Sequence, residues 1–108
     1  MEKKLKAERA ELWAKALEFN NGKESRRKFR NGDLRCCLCV AADVAAEQTG
    51  HLEWRKVAGG LASYEVADWF GWDHINPILA GNPATALNDV DKLSHKEIAA
   101  LVREQFTK

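Results

Sequence analysis

Residues 34–48 read LRCCLCVAADVAAEQ, and this stretch decides the fold class. At helical spacing Cys37, Val40, Ala41 and Val44 share one face, while Leu38, Ala42 and Ala45 fill the adjoining one. A helix that is apolar around most of its circumference belongs at the centre of a fold, covered by other elements on several sides. Thr49 and Gly50 end it, glycine being the residue that accepts the left-handed geometry of a helix C-terminus.

Upstream, the spacing predicts a helix over residues 2–19. Leu5, Leu12, Ala16 and Phe19 form a narrow apolar stripe that Trp13 and Leu17 widen. Arg9 projects from the middle of that stripe, which places the first two turns beyond the core. Asn20, Asn21 and Gly22 stop the helix. Residues 23–35, KESRRKFRNGDLR, then form a basic connector with a turn at Asn31, Gly32 and Asp33.

Downstream, residues 51–60, HLEWRKVAGG, admit either a short strand or an irregular loop. Ser63 caps a third, short helix that packs through Val66, Ala67, Trp69 and Phe70 and stops at Gly71. Pro77 and Pro83 frame a loop in which Ile78 and Leu79 form a brief strand. In the last helix Ser94 and Glu97 make a capping box, followed by an apolar face of Ile98, Leu101, Val102 and Phe106. The expected architecture is a mainly α, compact single domain over residues 1–108. It has about four helices and at most a small two-stranded β element between residues 51 and 86.

Composition narrows the class. An apolar fraction of 45% and a charged fraction of 31% are those of a globular chain, not a disordered one. No apolar run approaches the ~20 residues of a membrane span. The opening MEKKLKAERAELW is charged and periodic and does not read as a secretory signal. Three cysteines, all within residues 36–39, cannot make a disulfide framework and point to reduced thiols in a cytosolic setting. The net charge of +1 hides an asymmetry: residues 1–35 carry eleven Lys and Arg against six Asp and Glu, and the remainder carries six against ten.

Several blocks together support a family resemblance. Residues 36–43, CCLCVAAD, resemble a CCLGVLCD signature of small tailed-phage and prophage proteins. Trp13, Ala16, Leu17 and Gly22 look like that family's opening W..AL.SG, and Leu61, Val66, Trp69 and Gly71 like its LP..V..W.GL. Asn76 and Pro77 follow as its NP. Leu87, Asn88 and Asp89, then Ser94, Glu97, Ile98 and Ala99, look like its closing LND…SF.EIA. The chain departs from the pattern at Cys39 (glycine there), Ala42 (cysteine), Ala62 (proline) and His95 (phenylalanine), and the connector matches poorly. The resemblance implies a phage accessory protein made in the cytoplasm of a bacterial host cell. It brings no catalytic residue.

Cys36 and Cys39 form a C-x-x-C that His51 or His74 would have to complete as a zinc site, yet these thiols sit on an apolar helix, where cysteine packs as a small hydrophobe. Asp43 is the odd residue on the apolar part of that helix and needs backbone donors or a nearby arginine. The sequence has none of the H-E-x-x-H, G-x-S-x-G, P-loop or G-x-G-x-x-G motifs. Ala67 and Gly71 have helix-turn-helix spacing, but Pro77 would fall inside the recognition helix. The expectation is a chain that is not an enzyme and takes neither cofactor nor metal.

The sharpest surface feature is the run Lys23, Arg26, Arg27, Lys28, Arg30 and Arg35, with Phe29 interleaved. It admits three readings: a solvated loop, a surface for an acidic protein, or a phosphate clamp with a stacking ring. Trp69, Phe70 and Trp72 are more large aromatics than a short segment buries on one side, so one of them, Trp72, is expected as an exposed anchor. The predicted binding residues are therefore Arg26, Arg27, Lys28, Phe29, Arg30, Arg35 and Trp72. The expected partner is a host protein or complex, as for a host-takeover or anti-defence inhibitor; the alternative is a nucleic-acid-binding regulator using the connector. No membrane association is expected.

Overall fold

The computed structural model describes residues 1–28, 30–56 and 61–108. The order of elements is α1 (Lys3–Phe19), β1 (Arg30–Asn31), β2 (Leu34–Arg35), α2 (Cys37–Thr49), a 3₁₀ turn (Leu52–Arg55), α3 (Tyr64–Phe70), β3 (Ile78–Leu79), β4 (Asn82–Pro83), α4 (Ala84–Asp89) and α5 (His95–Phe106). The fold is mainly α, as expected, with five α-helices among the described residues where about four were predicted. The described residues form two antiparallel hairpins rather than one, β1–β2 and β3–β4, and the first lies outside the window expected for β structure.

Helix α2 occupies the centre, with nine of its thirteen residues buried. It packs against α1, α3, α4 and the 3₁₀ turn, which removes nearly its whole circumference from water. The Cys36 sulfur accepts from the Cys39 N–H at the helix start, and left-handed Gly50 closes the end. Beside it lies an aromatic cluster. Trp13 is fully buried and donates its indole N–H to the Cys37 carbonyl at 3.1 Å. The Phe70 and Trp72 rings stack at 4.8 Å, and Trp13 lies 5.0 Å from Trp72. Trp72 is only 8% exposed, so it is a core residue and not the exposed anchor expected of it. Its burial follows from the turn at Gly71, where the Trp72 N–H bonds back to Ala67 and folds the ring under α3.

The buried face of α1 is Ala10, Trp13, Ala14 and Leu17, not the stripe through Leu5, Leu12 and Phe19, which leaves Phe19 95% exposed. The two alanines allow close approach to the core, so the helix is turned by roughly a third of a turn or more from the orientation that the Leu5, Leu12 and Phe19 stripe indicates, with Trp13 and Leu17 buried. Helix α5 lies along α1, held at its edge by Arg103, which bridges Glu11 at 2.8 Å and Glu18 at 2.7 Å. The Ser94–Glu97 capping box opens α5, and Ile98 and Val102 are buried while Leu101 and Phe106 are half-buried. Arg9 does not run free past the core; its guanidinium lies 4.3 Å from the Trp69 ring and donates to the Trp69 carbonyl.

Turn chemistry sets both hairpins. In β1–β2, Gly32 has φ +63 at the first central position, where a type II′ turn needs glycine. In β3–β4, Ala80 and Gly81 both have positive φ, as a type I′ turn requires. Since β3 follows α3 and its turn, no recognition helix stands there. Of residues 51–60, the first part is the 3₁₀ turn instead of a strand, and 57–60 lie outside the described residues. Among the described residues no helix is long and apolar enough to cross a membrane.

Candidate functional site

The connector between α1 and α2 is a built structure. The Ser25 N–H donates to the Arg35 carbonyl at 2.9 Å, and the Arg35 N–H to the Lys23 carbonyl at 3.0 Å, so both ends of the segment are tied together. Arg26 turns inward and donates to the carbonyls of Asn88 at 2.6 Å, Leu93 at 2.8 Å and Lys92 at 3.2 Å. These are α4 and the loop after it, whose carbonyls have no helical partner. Arg26, expected on the binding surface, is therefore a structural brace.

Asn88 anchors the other side. It is 1% exposed, accepts from the Cys37 N–H at 3.2 Å and donates to the Ser25 carbonyl at 2.7 Å and to Asp89 at 2.7 Å. Asp89 accepts from the Arg27 N–H at 2.7 Å, which holds Arg27 in a left-handed conformation with φ +64. The side chains of Arg27 and Lys28 stay exposed and line a cleft of about 260 Å³ with Cys36, Thr85 and Asp89. Phe29 lies outside the described residues.

Arg30 and Arg35, on the two strands of the first hairpin, converge with Arg55 of the 3₁₀ turn on Asp43. Arg30 bonds both carboxylate oxygens, Arg35 pairs at 3.0 Å and Arg55 at 3.2 Å. The Asp43 side chain is 9% exposed; those of Arg30, Arg35 and Arg55 are 36%, 39% and 50% exposed. A buried carboxylate needs such partners, and the hydrogen bond that Arg30 donates to Asp43 raises the Arg30 pKa. Three guanidiniums around one carboxylate leave a local excess of positive charge, fixed in place and open to solvent on its outer side. The next hollow along, about 400 Å³, is lined by Lys23 and Arg35 but also by Asp33 and Glu47.

The three thiols and His95 are withdrawn from solvent, while His51 and His74 are exposed. Burial pushes the Cys36 thiol up, the Cys37 thiol well up and the Cys39 thiol up to about 12, so none is a ready thiolate. His95, fully buried at the start of α5, places Nδ1 at 3.3 Å from the Asn20 carbonyl, and among the described residues its Nε2 makes no hydrogen bond. Burial holds its pKa below the usual histidine range. Beside it Glu24 accepts from the N–H groups of His95 and Gly22, each at 2.9 Å; burial pushes its carboxyl up, but these bonds outweigh that and hold it below the usual range. Among the described residues no three His, Cys, Asp or Glu side chains gather as a metal site requires.

No family model, curated protein or solved structure matches this chain. The geometry alone therefore describes the site. Of the residues predicted for binding, it brings Arg27 and Lys28 to one cleft and Arg30 and Arg35 to the Asp43 cluster; it removes Arg26 and Trp72 to structural roles. Sequence reasoning missed Arg55, Asn88, Asp89 and Glu24. Asn88 and Asp89 had a signal, in the LND block quoted above. Arg55 had none, being twelve residues from Asp43 across a helix end.

Proposed function

We propose that this chain is a non-enzymatic binding protein that docks the face carrying Arg27, Lys28, Arg30 and Arg35 on an acidic surface of a protein partner. The observation that carries this reading is the Asp43 cluster: cations on a hairpin and a turn, held in fixed places by one buried carboxylate, with an excess of positive charge facing solvent. Ordered arginines lose little side-chain entropy on binding, and arginine is a preferred interface anchor. The cations are interspersed with Asp33, Glu47 and Asp89. Such mixed charge suits a partner of matching pattern better than the uniform track of phosphates in a nucleic acid. Helix α2, the nearest helix, is the core of the fold and has no face free to enter a groove.

The setting we propose, a phage or prophage accessory protein that disables or redirects a host process in the bacterial cytoplasm, rests on the sequence resemblance. The withdrawn thiols and the buried His95 support the non-enzymatic part of the reading. A polarisation titration with mixed-sequence DNA and RNA tests the partner class. The reading expects weak or no binding near ~150 mM salt. Submicromolar binding with a steep salt slope, weakened alike for all sequences by Arg27→Glu and Lys28→Glu, would replace it with the nucleic-acid-binding regulator.

A further inference from the structure

A second surface has the opposite character. Between α3 and the β3–β4 hairpin runs a groove of about 400 Å³ whose apolar lining includes Tyr64, Trp72, Ile78 and Pro83. Tyr64 is 75% exposed and Ile78 44%, although both are large apolar side chains. Two carboxylates, Asp68 and Asp73, line the same groove, and both are exposed. Neither forms an ion pair with any described residue. Asp73 and Ile78 also border a further hollow of about 140 Å³ reaching Phe106, lined as well by His74 and by Lys6, whose ammonium lies over the Phe106 ring, which extends the track beyond a single side chain.

We propose that this groove is a docking site for an extended protein segment in which Lys or Arg flanks an aliphatic or aromatic residue. Charge complementarity selects that occupant. Unpaired carboxylates beside an apolar floor repel phosphates and anionic lipid, and they favour a cation whose alkyl stem can lie on the floor. The apolar residue of the segment covers the Trp72 edge and Pro83. A cationic head reaches Asp68 or Asp73, and the exposed Tyr64 ring offers it a face. The surface shares none of the residues assigned to the basic face, so each proposal stands or falls without the other.

The test is selection of a displayed library of random dodecapeptides against the whole chain, followed by titration of enriched synthetic peptides. The expected peptides carry Lys or Arg within two residues of an aliphatic or aromatic residue. They shift the backbone amides of Tyr64, Asp68, Asp73 and Ile78 in NMR spectra. They lose at least ten-fold in affinity toward Asp68→Lys/Asp73→Lys, and also toward Tyr64→Ala, which leaves the charges in place. Melting curves confirm that both variants fold. The proposal is overturned if no peptide is enriched, if the enriched peptides are acidic or lack a cation, or if they bind the charge-reversed variant equally well. It is also overturned if the chain alone self-associates and Asp68→Lys/Asp73→Lys abolishes that, because a second copy is then the occupant.

Discussion

Replacing Asp43 with asparagine keeps the shape of the side chain and removes the charge on which Arg30, Arg35 and Arg55 converge. Breaking a fully buried ion pair from one side costs about 3–5 kcal/mol. Here the carboxylate is 9% exposed but its partners are 36–50% exposed, so the stranded guanidiniums can swing partly into water. Discounting for that exposure gives about 2–3 kcal/mol, a large share of the total stability of a domain this size. Removing a single arginine is a different perturbation. Arg35→Gln or Arg55→Gln leaves Asp43 with two cations and should cost about 1 kcal/mol or less. The asymmetry is the prediction: urea unfolding followed by circular dichroism should rank Asp43→Asn well below either arginine variant. Salt should recover part of the Asp43→Asn loss by screening the arginines from one another. Adding Arg35→Gln to Asp43→Asn should recover more, since it removes one of the repelling charges. Equal losses for Asp43→Asn and Arg35→Gln, or a silent Asp43→Asn, would refute the view that one carboxylate organises this cluster.

The folded His95 takes up a proton below its ordinary pKa of 6.5, so the native state binds fewer protons than the unfolded chain in mildly acid solution. Stability should be full above about pH 6.5 and fall as the pH drops, with Glu24 adding to the loss below its ordinary 4.5; His95→Gln should flatten the first part of that decline in pH-dependent melting. Asn88→Ala strands the buried Cys37 N–H and Ser25 carbonyl and should cost about 2–3 kcal/mol in chemical denaturation. Thiol-reactive dye at pH 8 should label Cys37 and Cys39 only as fast as the native chain opens, and at once in denaturant.

Where local pattern decides the outcome, the sequence was a sound guide. The apolar circumference of α2 announced a central helix, Ser94 and Glu97 announced the start of α5, and the Ser63 cap and Gly71 stop bounded α3. An arginine partner for Asp43 was also legible, because a carboxylate on an apolar helix has few other options. The orientation of α1 was not, because Ala10 and Ala14 join Trp13 and Leu17 on its buried face while Leu5, Leu12 and Phe19 face outward. Helix α4 has six residues and only one large apolar side chain, Leu87, too few for a periodic signal. The hairpin strands of the connector carry no alternation, so only its turn could be read. Arg26 and Trp72 were assigned to the surface by residue type; the carbonyls that hold Arg26 lie more than sixty residues along the chain, and no local pattern points to them.

The central claim is that the face carrying Arg27, Lys28 and the Asp43 cluster holds a protein partner through charge. Affinity purification of tagged wild-type chain and of Arg27→Glu/Lys28→Glu from bacterial cells that express them, with nuclease treatment at ~150 mM salt, tests it most directly. Both side chains are exposed, so the variant should melt like the wild type. The account predicts one protein complex that survives nuclease and salt with the wild type and is absent with the folded variant. Recovery of the same proteins with both forms, or loss of all captured material on nuclease treatment, would contradict it.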